Sequence, residues 1–311
     1  MQTTTRAGKT HDKESFLKRR KIGERTMEAA LLGAALVSIL TVIFITVFLF
    51  QSGLPLFRKV PVSEFLFSTD WEPTAATPHY GILSFIVGSL YVTGLALLIA
   101  VPVGLAVGIY LAELADKRAS KAIRSAVELL AGIPSVIYGL FGIAVIAAFT
   151  RTVAGGSGYS VLSAAIVLAI MTLPTIINVT EVSLRAVPRE LKEGSLALGA
   201  TEWQTITKVL VPAARSGIVA GVILGMGRAI GETMAVLMVG GNAPVMPGAL
   251  NGMVRTLTMN IITDMSYATG DHLTSLFATG IVLFVFILLL NIGVQVFLKR
   301  SLSGLEEGAN A

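Results

Sequence analysis

The sequence predicts an all-α integral membrane protein with six transmembrane helices, an expectation carried by composition, charge segregation and the placing of Lys and Arg. Hydrophobic residues make up 54% of the 311 positions and charged residues only 14%, against about a quarter charged in an ordinary soluble domain. Polar intervals separate long apolar runs. A helix that crosses the bilayer needs about 20 mostly apolar residues, and six runs qualify: 28–51, 82–111, 127–149, 158–182, 213–240 and 274–298.

Lys and Arg set the orientation. Nineteen lie in the tail before the first run, in the second-to-third and fourth-to-fifth connections and after the last run; the other three connections hold only Arg58, Lys59, Arg151 and Arg255. Positive residues stay on the cytoplasmic side, so both termini and the 188–212 connection are expected inside. The pI near 9.5 thus reports topology. No aromatic-interleaved basic face accompanies it, and no nucleic-acid partner is expected.

Each segment follows in order. Residues 1–27 read as a cytoplasmic basic tail, and 28–51 as a first anchor that is retained: the run is long for a signal peptide and no small-residue cleavage site follows. The outer, periplasmic loop 52–81 carries Phe65, Phe67, Trp71 and Tyr80, which suit an aromatic cap at the headgroup level. Residues 82–298 form the membrane core, and 299–311 a cytoplasmic tail. Gly and Pro recur inside its runs (Gly94, Pro102, Gly104, Gly108, Gly132, Pro134, Gly139, Gly142, Pro174), as in tightly packed bundles where neighbours satisfy freed backbone groups. The chain has no cysteine, which removes disulfides, thiolate metal sites and iron–sulfur clusters. No metal-spaced acid cluster or nucleophile–base arrangement is present, and no cofactor is expected. His11, His79 and His272 lie far apart in tails or loops and are expected to be solvated.

The fifth run is the first functional candidate. Gly217, Gly221 and Gly225 form a small-xxx-small stripe that lets another helix approach closely. Arg228 and Glu232 follow. Continued at 100° per residue, the helix puts Glu232 near the glycine stripe and Arg228 about 60° aside, so both are expected to face the bundle. Such charges at mid-span are usually paired or line a pathway. Two readings stay open: an i,i+4 pair that satisfies itself, and a translocation path in which Arg228 attracts an anion while Glu232 keeps the site from binding too tightly. In the third run Gly132 and Pro134 loosen the helix. This is either a packing kink or a place where free N–H groups and the Ser135 and Tyr138 hydroxyls meet an oxyanion. Glu128 and Glu181, near the inner ends of their spans, are expected to pair with cytoplasmic Arg or Lys.

The second candidate is the 188–212 connection. Glu193, followed by Gly194 and Ser195, stands six residues before Gly199; after nine intervening residues comes Val209-Leu210-Val211-Pro212. A short helix stopped by Gly199 would make a rigid knob. This spacing resembles the EAA signature of ABC-importer permeases, with Gly-Ser in place of Ala-Ala and Val at Val209 and Val211 in place of the usual Ile and Leu. The resemblance implies that the loop docks an ATP-hydrolysing partner. The chain has no G-x-x-x-x-G-K-[ST] loop of its own.

FLFSTDWEP (65–73), the run 80–113, AGIPSVIYGLFG (131–142), GRAIGETMAV (227–236) and VRTLTMNI (254–261) together resemble the phosphate-specific (Pst) ABC importers. The long outer loop and its FLFSTDWEP block look like the permease subunit that partners PstA. The resemblance implies a type I ABC importer (MetI-like) permease fold and inorganic phosphate as solute. It also implies a PstA-like second permease, a PstB-like ATPase dimer and a PstS-like binding protein. It maps the family's functional Arg and Glu onto Arg228 and Glu232. Another oxyanion, sulfate or molybdate, remains an alternative; a gradient-driven carrier has no need of an ATPase-docking knob.

Overall fold

A computed structural model describes residues 5–309, with side chains from 27 to 293. The side chains of both expected tails lie outside the described residues. The chain divides into two compact units, Met1–Ser52 and Gly53–Ala311. The first is the body of α1 (Thr5–Gly53), whose apolar side chains from Met27 to Phe48 are almost all exposed. A helix apolar on every side is suited to lipid.

The second unit begins with a turn over Leu54–Arg58, α2 (Val62–Phe67), and a two-stranded antiparallel ribbon of β1 (Trp71–Glu72) and β2 (His79–Tyr80). Then come α3 (Leu83–Ile109), α4 (Lys117–Gly132), α5 (Ser135–Phe141), α6 (Ala147–Ala154) and α7 (Val161–Arg185). The connection holds α8 (Arg189–Ala197), α9 (Glu202–Thr205) and α10 (Val211–Ala213). The last helices are α11 (Arg215–Gly231), α12 (Met234–Gly240), α13 (Leu257–Asp264) and α14 (Gly270–Ala309).

Among the described residues, five helical stretches are long and apolar enough to cross a membrane: Met27–Arg58, Leu83–Leu114, Ser135–Ala154, Val161–Arg185 and Gly270–Gly293. A sixth is a pair, Glu202–Ala213 and Arg215–Gly231, bent by 69°. The six expected runs are thus present, but two differ in form. The third begins at Ser135, because Ile133 takes an extended backbone (φ −71, ψ 127) ahead of Pro134; proline disfavours the α region for its predecessor. Residues 117–132 form a separate amphipathic helix, α4, capped by Asp116, which accepts from the Ala119 N–H at 2.6 Å. The fifth run stops at Gly231: Glu232 is extended (φ −71, ψ 131) and α12 starts afresh at Met234.

α7 is the central post, with two-thirds of its apolar stretch buried. Glycines on both sides make room for it. A methyl group at Gly104 or Gly108 of α3 would stand 2.7 Å from Ile176 Cγ2 or Thr180 Cβ. On the other side one at Gly221 or Gly225 of α11 would stand 3.0 Å from Val179 Cβ or Ile176 Cγ1. Gly217 is closed off by Ser183. The expected stripe is therefore the α7–α11 contact. Pro102 and Pro174 sit inside unbroken helices. Glu181, buried on α7, pairs with Arg124 of α4 and with Arg185, as expected; Glu128 is exposed.

A second core joins the 54–81 segment to α3 and α14. Phe65, Trp71 and Tyr80 are buried with Phe85, Leu257 and Leu276, with Trp71 edge-on to both Tyr80 and Phe85. These rings anchor the loop from within, and of the four expected cap aromatics Phe67 alone is exposed.

Candidate functional site

The 188–212 connection folds as a capped knob. α8 follows Pro188 and ends in a Schellman turn: the Ala200 N–H donates to Ser195 C=O at 3.2 Å and the Gly199 N–H to Leu196 C=O at 3.0 Å, with Gly199 at φ +87. That left-handed conformation favours glycine. Thr201 then starts α9 with a reciprocal cap against Gln204. Ser195 Oγ lies 2.9 Å from Thr205 Oγ1 and clamps α8 to α9. Lys192 Nζ, 2.6 Å from Glu113 Oε2, ties the knob to the turn that follows α3.

Glu193, Gly194 and Gly199 are exposed, as are Leu191, Leu196, Leu198 and Trp203. Glu193 borders a cleft of about 290 Å³ with Arg189, Lys192 and Glu113. Val209 and Val211 are half-buried and Pro212 is exposed; it is Leu210, between the two valines, that is buried with Leu184, Ile206 and Ile218. An exposed apolar tip on a base fastened by hydrogen bonds, an ion pair and an apolar core can be gripped and pushed as one body.

The two helix breaks lie side by side. α5 packs on α12 so closely that a Cβ at Gly139 would overlap Met238. Tyr138 is buried; its hydroxyl donates to Leu130 C=O at 2.7 Å, spanning the break between α4 and α5. Of the two readings of this run, the hydroxyl here serves the packing kink. Ser135 is half-buried at the start of α5.

Arg228 lies in the last turn of α11, close enough for its charge to act on Tyr138. Its side chain is exposed on the surface of the single chain and takes part in no hydrogen bond or ion pair among the described residues. Both charges are expected to face the bundle or its cavity. Arg228 stays on the unbroken part of α11 and is exposed at the surface of the single chain, whereas Glu232 is carried off the helix by the break after Gly231. Glu232 sits in the break, half-buried; its Oε1 accepts from the Ala235 N–H at 3.2 Å and so caps α12. The i,i+4 pair is absent. The guanidinium is exposed, and the carboxylate covers the neighbouring helix start.

Sequence reasoning missed a buried polar network around Asp264. Asp264, at the end of α13, accepts from Trp71 Nε1 at 3.0 Å and from Tyr267 Oη at 2.7 Å. Arg255 Nη1 lies 3.5 Å away and His272 Nε2 3.3 Å away. His272, expected to be solvated, is buried there, edge-on to Trp71 and Tyr267. Burial lowers the Arg255 pKa, with Asp264 opposing; the hydrogen bond to Asp264 and then burial raise that of Tyr267. No local sequence signal marks these residues as partners of one carboxylate.

A bundle of membrane helices broken at two adjacent points beside an open arginine, with a rigid knob between two of its spans, defines a transport permease subunit. Residues 104–302 match the family described as "Binding-protein-dependent transport system inner membrane component". The chain belongs to that family. It is 44% identical over 265 residues to a probable ABC transporter permease protein, YqgH, of Bacillus subtilis, covering 82% of this chain and 86% of that one. It is 39% identical over 243 residues to the phosphate transport system permease protein PstC of Mesorhizobium japonicum, covering 71% and 74%.

Among solved structures, a bacterial alginate ABC transporter in complex with a pentasaccharide-bound periplasmic protein shares the fold (TM-score 0.61, 17% identity, 87% of this chain and 94% of that one). So does an inward-facing MetNI methionine transporter (TM-score 0.58, 21% identity, 70% and 95%). The type I, MetI-like fold is therefore shown. As a permease of this family the chain is an inner-membrane subunit that works with a second permease, a solute-binding protein and a separate ATP-hydrolysing subunit.

Proposed function

We propose that this chain is the permease subunit of an ABC importer for inorganic phosphate. It pairs with a PstA-like permease, rests on a PstB-like ATPase dimer and receives solute from a PstS-like binding protein. The observation that carries the reading is Arg228: an exposed guanidinium without a partner at a helix break, in a chain similar to permeases named for phosphate transport. A fixed cation with a planar array of donors suits an oxyanion. Glu232 beside it supplies the repulsion that lets a filled site empty. Arg228 looks out of its own chain, so the path would lie between this chain and the second permease, with Ser135 and Tyr138 at the adjoining break.

Glu193, Gly194, Ser195, Gly199, Val209, Val211 and Pro212 belong to the coupling loop 188–212 in this reading. The exposed leucines and Trp203 of the knob enter the ATPase, and α7 and α11 on either side of it carry the movement into the membrane. Residues 1–27 and 299–311 are cytoplasmic tails, 28–51 an anchor, 52–81 a periplasmic loop and 82–298 the core, with both termini inside. Labelled phosphate uptake into proteoliposomes holding the four-component complex tests the solute. Uptake that excess unlabelled phosphate suppresses and sulfate and molybdate do not is expected; uptake of sulfate or molybdate with no phosphate uptake overturns the reading.

A further inference from the structure

α13 joins two places that matter for transport. At its inner start, Thr258 Oγ1 donates to the Glu232 C=O at 3.1 Å, and the Leu257 N–H donates to Ser89 Oγ of α3 at 3.0 Å. At its outer end Asp264 is held by Trp71 from the outer loop and by Tyr267 and His272 from the turn and helix that follow. Eight helical residues span about 12 Å, too short to bend appreciably. Arg255 stiffens the element lengthwise, bonding Asn242 C=O beyond the end of α12 at 3.3 Å and Asn260 Oδ1 on α13 at 3.1 Å.

The outer loop is an exposed surface on a buried anchor. Phe67, Glu64, Asp70 and Glu72 face outward, whereas Trp71 is 7% exposed and bonded to Asp264. Displacement of that loop therefore reaches Asp264 through one hydrogen bond. A buried carboxylate with four donors is weak support for stability, because desolvation offsets the attraction; it does fix one geometry.

We propose that α13 is a strut that transmits the position of the outer loop to the helix break at Glu232, with Asp264 and Thr258 as positioning residues at its two ends. A protein docking on the outer loop is thereby felt at the Glu232 backbone without touching it. This inference rests on the permease reading but not on which oxyanion is carried.

The test uses the complete importer and compares ATP hydrolysis with and without solute-loaded binding protein. Trp71→Phe removes the indole donor and keeps an aromatic ring. Thr258→Val removes the hydroxyl at the other end and keeps the shape. Each should lower the ratio of stimulated to basal hydrolysis roughly fivefold, the equivalent of one net hydrogen bond, with basal hydrolysis unchanged. The double variant should fall no further than the worse single one, since both cut the same element. Asp264→Asn should match Trp71→Phe. Unchanged ratios in assembled complexes, or losses that multiply in the double variant, would overturn the strut. A wild-type complex that responds to another oxyanion and not to phosphate would instead refute the solute assignment and leave the strut comparison intact.

Discussion

Gly217→Ala on α11 is a small change with a calculable consequence. The added methyl would lie 2.6 Å from Ser183 Cβ, whereas carbon atoms rest at about 3.5–4.0 Å, so the helices must part by about 1 Å. α7 has nowhere to retreat, because its far side is pinned by the equally tight contacts of Ile176 at Gly104 and Thr180 at Gly108. Ser183 cannot swing aside cheaply either, since its hydroxyl donates to Val179 C=O at 2.6 Å. Overpacking of this kind costs about 1–3 kcal/mol. The loss should appear as a lower midpoint in detergent thermal unfolding followed by size-exclusion chromatography. Ser183→Gly in the same chain opens the space and should recover much of it. Wild-type stability in Gly217→Ala, or no recovery in the double variant, would refute the packing argument.

Three further outcomes are expected. Gly199→Val forces a β-branched residue to φ +87, at about 1–2 kcal/mol; the chain should still insert but lose co-purification with its ATPase, and normal coupled hydrolysis would count against the knob as the docking element. In this cysteine-free chain, single cysteines at Ser68, Gly155 and Asn251 should react with an impermeant thiol reagent added outside, and those at Ser120 and Ser195 should not; labelling of Ser195→Cys in intact cells would overturn the topology. The Tyr267 pKa is raised above its ordinary 10.0, so its hydrogen-bond contribution is complete below that value and lost as pH rises through the raised one. Tyr267→Phe should therefore lower the thermal midpoint equally at about pH 6 and about pH 8 and lose its effect only above about pH 10; a decrement that changes between the two lower values would contradict the assignment.

Features fixed by spacing along one element were legible in the sequence. The glycine stripe is set by helical periodicity, and it lies on α7. The knob is bounded by Pro188 and by Gly199 at φ +87, both punctuation marks readable locally. The helix breaks were harder, because hydropathy runs unbroken through them. Pro134 is a signal for the first, since it acts on Ile133; Gly231-Glu232-Thr233 offers nothing comparable, so helical spacing places Glu232 on a helix that in fact ends before it. α4 could have been separated from the third span by its Asp116 cap and its cluster of Lys117, Arg118, Lys121 and Arg124. The Asp264 network was not legible at all. Its Trp71–Asp264 hydrogen bond joins residues 193 positions apart, and nothing local marks His272 or Trp71 as partners of the same carboxylate.

The central claim is that Arg228 acts on the transported anion, and phosphate uptake by the fully assembled Arg228→Gln importer tests it most directly. A hydrogen bond to a charged group contributes about 1.5–3 kcal/mol, so uptake should fall by roughly 10- to 150-fold, with ATPase co-purification intact. Because Arg228 and Glu232 are not paired with each other, adding Glu232→Gln should leave uptake low. Near-normal uptake by the assembled single variant, or recovery in the double one, would contradict the account.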